Sequence, residues 1–531
     1  MSEPSAGRTP RWWERGVIYQ IYPRSFQDSD GDGVGDLAGI EQRLDYVASL
    51  GVDAIWLSPI FPSPMADFGY DVADYVGVEP MFGTIEDFDR LLAAVHARGL
   101  KLLLDFVPNH SSDQHPWFVE SRSGKDSPKR DWYIWRPPAP GGGPPNNWIS
   151  DFGGSAWEWD EASGEYYLHA FLKEQPDLNW RNPAVEAAMF DAMRYWLDRG
   201  VDGFRIDVLW HIVKARGFPD NPANPNWHQG LGQRDLLIQR NSTDQPEAHA
   251  IAARMRALAD QYGDRLLVGE IFLPNDRLVA WYGTPGRPEV HLPFNFALIE
   301  NPWNAEGVAR LIADYEAALP AGGWPNWVYG SHDAARIAAR IGEPQARVAA
   351  MLLLTLRGTP TLYQGDELGI GEVVIPPDRI RDPRELREPG LGLGRDPSRT
   401  PMPWTGNAPN AGFSTADPWL PINADWATRN VEAEHEDRGS ILWLYRDLLS
   451  LRRSTDALSI GDYREVEARG DLLMFDRRHG DHCVRIALNF GETAIDLSQS
   501  GQVLLSTLGK SGRPSTLRPN EGLIFLAGEP H

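Results

Sequence analysis

Strand-like and helix-like segments alternate along most of this chain of 531 residues. Short apolar runs, typical of buried strands, are followed by stretches whose apolar residues recur at helical spacing. Eight such runs occur before residue 364, which is the strand count of a closed barrel. We therefore predict an α/β protein built on a (β/α)8 (TIM) barrel. The predicted strands are residues 16–22, 53–57, 101–107, 200–208, 265–270, 290–294, 327–331 and 359–363. The predicted helices include residues 37–50, 85–98, 183–199, 247–262, 304–318, 343–357 and 437–453.

Two segments depart from this alternation. After the third strand the chain is rich in Pro, Gly, Trp and Ser for about 70 residues, too long for a structureless loop. We predict an inserted subdomain at residues 108–179, with short strands such as 166–171. From residue 458 short alternating strands predict a C-terminal antiparallel β domain, a β-sandwich, at residues 458–531. Residues 1–107 and 180–457 then form the barrel.

The net charge of −23 argues against nucleic acids and anionic membranes as partners and suits a neutral or cationic ligand. The single cysteine, Cys483, excludes intramolecular disulfides and cysteine-cluster metal sites. Residues 1–8 lack the apolar run of a signal peptide, and no run has the length of a membrane span. We therefore expect a cytoplasmic protein.

Charged side chains stand where several predicted strands end. In a barrel the carboxyl ends of all strands meet at one face, so these side chains would converge. Crowded unpaired charges are costly, which favours a functional explanation over a structural one. The residues concerned are Asp105, Asn109 and His110 after the third strand, Arg205 and Asp207 at the fourth, Glu270 at the fifth, and His332 and Asp333 after the seventh.

Three chemistries fit converging carboxylates. A metal centre is disfavoured because His110 and His332 lack the local pairing of motifs such as His-Glu-x-x-His. Proton abstraction, as in isomerases, is the second. The third is glycosyl transfer, in which one carboxylate attacks the anomeric carbon and a second, protonated one donates to the leaving oxygen. Arg205, two residues before Asp207 on one strand face, would keep Asp207 ionised.

The same segments resemble the α-amylase family of glycoside hydrolases (family 13). Two further segments match its supporting regions, and two are similar to signatures of the α-glucosidase and oligo-1,6-glucosidase branch. The four main regions are Asp-Phe-Val-Pro-Asn-His (105–110), Gly-Phe-Arg-Ile-Asp-Val (203–208), Val-Gly-Glu (268–270) and Ser-His-Asp (331–333). The supporting regions are residues 51–59 and 358–369, and the branch signatures are Gln-Pro-Asp-Leu-Asn (175–179) and Arg-Thr-Pro-Met-Pro-Trp (399–404).

The resemblance implies a role for each matching position. Asp207 would be the nucleophile, Glu270 the general acid/base and Asp333 the transition-state stabiliser. The mechanism would be retaining, with the carboxyl groups of Asp207 and Glu270 roughly 5–5.5 Å apart. The implied substrate-binding residues are Asp67, Tyr70, His110, Phe171, Arg205, Val208, His332 and Arg399.

A closed pocket follows from the same resemblance. Arg399 would pair with Asp67 and close the far end, with Arg395 as the other candidate. Closure behind the first sugar implies exo action, with one glucose released at a time. Ser331 departs from the asparagine usual in the family, and Val208 occupies a position that the branch associates with linkage preference.

We therefore expect an exo-acting retaining α-glucosidase for short, maltose-type oligosaccharides that also transfers glucose to alcohols. One alternative is an oligo-1,6-glucosidase or a relative that cleaves or isomerises sucrose. The other is a catalytically silent sugar-binding subunit, which the presence of all three acids disfavours. The expected partners are small neutral α-glucosides, not nucleic acid or membrane, and the protein would be a monomer or homodimer.

An acidic loop near the N-terminus forms a separate candidate site. Carboxylates at alternate positions, with glycines for tight turns, suit Ca²⁺, or Mg²⁺ with added waters. The loop lacks the distant glutamate of an EF-hand, and the alternative is a solvated acidic turn. In the branch that the chain resembles, the loop is a structural cation site, and no organic cofactor is expected. The implied ligands are Asp28, Asp30, Asp32, Asp36 and the backbone carbonyl of Val34.

Overall fold

The structure is a computed structural model and describes residues 9–497, 501–509 and 515–527. Residues 1–8, from which the absence of a signal peptide was predicted, lie outside the described residues. Eight parallel strands follow one another in chain order around a single sheet, and the first pairs with the eighth. One parallel bridge, Asn295 to Trp327, joins the sixth strand region to the seventh. The predicted barrel is confirmed. Its strands are Ile18–Ile21, Ala54–Leu57, Lys101–Phe106, Gly203–Ile206, Leu266–Gly269, Leu292–Pro293, Asn326–Val328 and Thr359–Tyr363.

Helices connect these strands, and most of them bury one face, whereas Glu343–Thr355 is buried nearly all round. The helix Pro183–Asp198 is an example of the first kind: Asn182 caps its first turn, Pro183 suits that turn, and apolar residues recur along its buried side. The longer helices are Ile85–Ala97, Pro183–Asp198, Pro246–Ala259, Ala305–Ala318, Glu343–Thr355 and Ile441–Ser454. The shorter ones are Trp12–Arg15, Leu37–Gln42, Leu44–Leu50, Pro116–Arg122, Asn275–Leu278, Ala297–Glu300, Ile337–Ile341, Pro383–Arg387, Val431–Glu436 and Asp456–Ser459. Among the described residues, no helix combines the length and hydropathy needed to cross a bilayer.

The helix predicted at residues 37–50 is two helices, Leu37–Gln42 and Leu44–Leu50. Arg43 between them leaves the helical region of the backbone, at φ −102° and ψ 4°. Its side chain donates to Gln27 and lies over the ring of Trp404, so tertiary contacts hold the break in place.

The segment inserted after the third barrel strand contains a three-stranded antiparallel sheet. Its strands lie in the order Trp135–Arg136, Glu165–Leu168 and Trp157–Asp160, and Glu165–Leu168 overlaps the strand predicted there. A buried aromatic cluster that includes Trp148 and Trp157 packs beneath it. The limits of the domain, residues 108 and 179, stay a prediction.

An antiparallel sheet follows the last long helix, as predicted for the C-terminal part of the chain. Its five strands lie in the order Asp462–Arg469, Leu472–His479, His482–Asn489, Gly522–Leu526 and Val503–Ser506. A second ladder pairs Ile495–Asp496 with Thr516–Leu517. The sequence did not predict the edge strand Asp462–Arg469.

Candidate active site

A cavity of about 1050 Å³ opens where the barrel strands end. Its wall includes predicted site residues from four strand ends, the inserted subdomain and the loop after the second strand. Those on the wall are Asp67, Tyr70, His110, Phe171, Asp207, Val208, Glu270 and Asp333. Arg205, His332 and Arg399 are buried behind this wall and contact its carboxylates.

One guanidinium group organises the carboxylates on the barrel floor. Arg205 donates from Nη1 to Asp207 Oδ1 at 2.7 Å and to Asp105 Oδ1 at 2.8 Å. Its Nη2 lies 2.7 Å from Glu270 Oε2. Asp207 directly follows the strand, and its N–H donates to the Phe106 carbonyl at 2.8 Å, so the extended backbone continues and the side chains two residues apart stay on one face. The parallel pairing of the fourth and fifth strands places Glu270, which follows the fifth strand, beside the same Arg205 guanidinium.

Burial raises the pKa of both Asp207 and Glu270, and the Arg205 guanidinium counters part of that shift. The negative charges of Glu270 and Asp105 raise the pKa of Asp207 further. Burial likewise raises the pKa of Asp105, to about 6. Three acids around one cation cannot all ionise easily, so we infer that the Asp207–Glu270 pair retains a proton near neutral pH.

Asp333 has the opposite character. Burial opposes its ionisation, but contact with the His332 ring and the positive charges of Arg395 and Arg399 hold the pKa of its carboxyl well below the ordinary range. We therefore infer that Asp333 is a carboxylate near neutral pH. Its side chain is 32% exposed, so it can reach a ligand in the cavity.

His332 orients its neighbours as a neutral imidazole. Burial lowers its pKa well below the ordinary value. Gln20 Nε2 lies 2.8 Å from Nδ1 and can only donate, which leaves Nε2 to carry the proton. That nitrogen lies 2.8 Å from Tyr70 Oη and 3.1 Å from Asp333 Oδ2. The Tyr70 ring stacks on His332 at 5.4 Å, so two lining residues are fixed by one buried ring.

The chain adopts an unusual conformation just after Asp207. Val208 has φ +34° and ψ 45°, in the left-handed region that β-branched residues avoid. Its N–H donates to Glu270 Oε2 at 2.9 Å. Strain of this kind persists where surrounding contacts over-determine it, as at functional sites. The N–H of the residue directly after Asp207 is thus bonded to the carboxylate of Glu270, so this turn fixes the two side chains relative to each other.

At the far end of the cavity the predicted pairing of Arg399 with Asp67 is wrong. Arg395 makes that ion pair, from Nη2 to Asp67 Oδ1 at 2.8 Å, and also reaches Asp333 at 3.2 Å. Arg399 is fully buried and donates to the His332 carbonyl and to Asp333, at 2.9 and 2.8 Å. Both arginines therefore contact Asp333, and Arg395 also lines the cavity.

Sequence reasoning assigned no role to Lys214, although it is fully buried beside the site. Its Nζ donates to Asn109 Oδ1 at 2.8 Å and to the His211 carbonyl, and lies 2.5 Å from Asp177 Oδ2. The amine therefore joins the inserted segment to the loops after the third and fourth strands. A lone lysine after a strand carries no pattern that could have indicated this.

Gln175 was also missed as an individual residue. Its Nε2 donates to Asp67 Oδ2 at 3.3 Å and lies 3.1 Å from His110 Nε2. It belongs to the segment 175–179 that the sequence singled out, so the signal was present.

The ring of Phe171, a predicted substrate-binding residue, contacts two histidine rings. Its centroid lies 5.1 Å from that of His110 and 5.3 Å from that of His211.

The acidic loop lies apart from this cavity. Carboxylate oxygens of Asp28, Asp30 and Asp36 all lie within 4.8 Å of one another. Asp32 is not in that group, and its Oδ1 accepts from the Val34 N–H. Burial and the neighbouring Asp32 charge raise the pKa of Asp30. Crowded oxygen donors of this type fit a hard divalent cation.

The comparison with known families decides the assignment. A family model described as the α-amylase catalytic domain matches residues 20–461. The chain belongs to the α-amylase family. The resemblance carried by the four strand-end segments is thereby confirmed, and so is the barrel architecture that it implies.

Individual members of the α-amylase family match nearly the whole chain. A probable α-glucosidase of Rhizobium meliloti (strain 1021) is 43% identical over 497 residues, which is 91% of this chain and 90% of that protein. An oligo-1,6-glucosidase of Heyndrickxia coagulans is 37% identical over 557 residues, 97% and 99% of the two chains. The crystal structure of an α-glucosyl transfer enzyme, XgtA, has a TM-score of 0.92 at 39% identity and covers 98% of this chain and 100% of its own.

Proposed function

We propose that the protein is an exo-acting retaining α-glucosidase that releases terminal glucose from short α-glucosides. The observation that carries the proposal is the meeting of Asp207, Glu270 and Asp333 on one cavity wall, with Arg205 beneath. The similarity to α-glucosidases and oligo-1,6-glucosidases supports the same substrate class.

In the first step the ionised Asp207 carboxylate attacks the anomeric carbon of the terminal glucose. Glu270, protonated because it is buried, donates its proton to the glycosidic oxygen as that bond breaks. The products are a glucosyl ester on Asp207 and a free leaving group. Arg205 stabilises Asp207 as an anion before attack and Glu270 as an anion after it has lost its proton.

In the second step Glu270 takes a proton from a water molecule, which attacks the anomeric carbon and releases Asp207. An alcohol in place of water yields a new α-glucoside, and the similarity to an α-glucosyl transfer enzyme supports this outcome. A retaining enzyme needs the two carboxyl groups roughly 5–5.5 Å apart, and this separation stays a prediction.

The remaining wall residues would hold the terminal glucose. Asp333, kept ionised, would accept from sugar hydroxyls and stabilise positive charge at the anomeric carbon. Asp67 and His110 would bind further hydroxyls, and Tyr70 would contact the ring face. The Asp67–Arg395 pair would close the pocket behind that glucose, which supports exo action.

The alternative within the family is an enzyme that cleaves a different glycosidic bond. The similarity to an oligo-1,6-glucosidase favours α-1,6 linkages, and a sucrose-cleaving or sucrose-isomerising activity would use the same acids. Relative kcat/KM on maltose, isomaltose and sucrose separates these possibilities.

The proposal is tested with purified protein and an Asp207→Asn variant. Wild-type protein should release glucose from maltose or an aryl α-glucoside, and the variant should lose on the order of 10⁴-fold in kcat or more because the nucleophile is gone. Asp191→Asn, an exposed aspartate on the helix Pro183–Asp198, is the matched control. Unchanged turnover in Asp207→Asn would overturn the assignment.

We also propose that the acidic loop holds a structural Ca²⁺, with Asp28, Asp30 and Asp36 as ligands and with Asp32 and the Val34 carbonyl completing the shell. The ion would neutralise crowded charge and brace the turn before the helix Leu37–Gln42, far from the chemical step. Mg²⁺ is the alternative occupant.

For partners and location, we propose small neutral α-glucosides as ligands of a cytoplasmic monomer or homodimer without an organic cofactor. The charge of −23 disfavours nucleic acid and anionic lipid, and one cysteine in 531 residues suits a reducing compartment.

A further inference from the structure

Two buried carboxylates clamp the ends of the segment at residues 381–396 to each other. Asp382 Oδ2 accepts from the Arg395 backbone N–H at 2.5 Å, and Asp396 Oδ2 accepts from the N–H groups of Arg381 and Asp382 at 2.7 and 2.9 Å. Asp382 also caps the short helix Pro383–Arg387 by accepting from the Arg384 N–H. Its position is thus set by backbone contacts on both sides.

Asp382 holds the Arg395 side chain as well as its backbone. Its Oδ1 accepts from Arg395 Nη2 at 2.7 Å, and both of its oxygens lie within 3.2 Å of Nε. The Asp382 side chain is 0% exposed and that of Arg395 is 10% exposed. A carboxylate this deeply buried is ionised because the guanidinium is there, and its pKa is lowered to about 2 despite burial.

The same guanidinium reaches both pocket carboxylates, Asp67 at 2.8 Å and Asp333 at 3.2 Å. Under the proposed function, on which this inference rests, Asp67 and Asp333 turn their oxygens to sugar hydroxyls. Asp382 does not line the cavity and cannot reach the sugar. It is therefore the one of these three carboxylates whose contact with Arg395 is not shared with a sugar hydroxyl.

We propose that Asp382 is a positioning residue that holds the Arg395 guanidinium at the closed end of the pocket and so sets the affinity for the terminal glucose. Without Asp382, only Asp67 and Asp333 would pair with the Arg395 guanidinium. The guanidinium would then compete with sugar hydroxyls for the oxygens of these two carboxylates. Arg399 cannot substitute, because its contacts are to Asp333 and the His332 carbonyl.

The test is a double-mutant cycle measured with 4-nitrophenyl α-D-glucopyranoside. Asp382→Asn should raise KM on the order of tenfold and change kcat less, because the contact acts on glucose binding. In an Arg395→Ala background the same change should have no further effect beyond about twofold, since the residue acts through Arg395. Glu385→Gln is the matched control, because Glu385 lies in the same short helix and accepts only from Gly390 N–H in this segment.

Asp382→Glu serves as a second variant if the asparagine variant does not fold. It keeps the charge but displaces the guanidinium, so KM should still rise. An equal effect of Asp382→Asn with and without Arg395, or an unchanged KM in both Asp382 variants, would overturn the proposal. The wild-type rate tests the proposed function separately, because it does not depend on any variant of this segment.

Discussion

At the scale of single residues, the site is a problem of charge balance around Arg205. Three carboxylates, Asp105, Asp207 and Glu270, share one guanidinium in a buried setting. That arrangement supports one ionised nucleophile beside one protonated acid, which is the state that glycosyl transfer requires. Asp105 takes no part in bond making in this account, but its charge acts on Asp207.

Replacing Asp105 with Asn should therefore shift the pH dependence of the reaction. The Asp105 charge raises the pKa of Asp207, so removing it lowers that pKa. The acidic limb of kcat/KM reports ionisation of the nucleophile in the free enzyme, and it should move to lower pH. Initial rates across pH on wild type and variant measure this. A limb that stays in place or moves to higher pH would contradict the charge-balance argument.

Sequence reasoning did well where spacing alone fixes geometry. Arg205 and Asp207, two residues apart at the end of a strand, meet as predicted. It failed for the arginine that pairs with Asp67, because the long loop after the eighth strand carries several arginines and spacing cannot choose among them. Arg395 is selected by Asp382 and the fold of the loop, neither of which has a local pattern.

At the scale of elements, the junction between barrel and inserted segment depends on the buried Lys214. Its partners lie on three separate loops, through Asp177, Asn109 and the His211 carbonyl. A buried ion pair contributes little when complete, but removing one partner leaves an uncompensated charge.

Lys214→Met should therefore destabilise the protein by about 3 kcal/mol, because Asp177 would be left buried without its cation. Denaturant unfolding followed by far-UV circular dichroism measures the change. Lys173→Met, an exposed lysine of the inserted segment, is the control and should have little effect. Equal stability of the two variants would show that the buried amine does not hold the junction.

The acidic loop gives a second prediction at this scale. A cation that binds the folded state alone raises the melting temperature, so a chelator should lower it and added Ca²⁺ should restore it. Asp30→Asn should weaken that response because it removes one of the three clustered carboxylates. Differential scanning fluorimetry with chelator, Ca²⁺ and Mg²⁺ measures this. The same melting temperature in all three conditions would show that the loop is an acidic turn without a bound cation.

Element prediction depended on burial. The barrel strands are buried on both faces and mostly apolar, so they were found, whereas the edge strand Asp462–Arg469 is mostly exposed and offers no apolar alternation. The break at Arg43 was missed for a related reason. The apolar pattern continues through it, and the contacts that bend the chain come from Gln27 and Trp404.

At the scale of the whole molecule, the barrel brings together charged residues that the sequence places at the ends of separate strands. Eight strands in order bring their carboxyl ends to one face, so charged residues far apart in the chain meet without any pairwise signal between them. What the barrel leaves open is the rest of the cavity wall. That part comes from the inserted segment and from loops after other strands, including the second, fourth, fifth and eighth, whose packing follows contacts that sequence periodicity does not encode.

In the proposed mechanism Asp207 forms a covalent glucosyl ester, and this species can be trapped. Wild-type protein is incubated with 5-fluoro-α-D-glucosyl fluoride, digested and sequenced by tandem mass spectrometry. Fluorine slows both steps by opposing positive charge at the anomeric carbon, and the fluoride leaving group restores the first, so the ester should accumulate. We expect a fluoroglucosyl adduct on Asp207. An adduct on another carboxylate, or inactivation of an active enzyme with no adduct on Asp207, would contradict it.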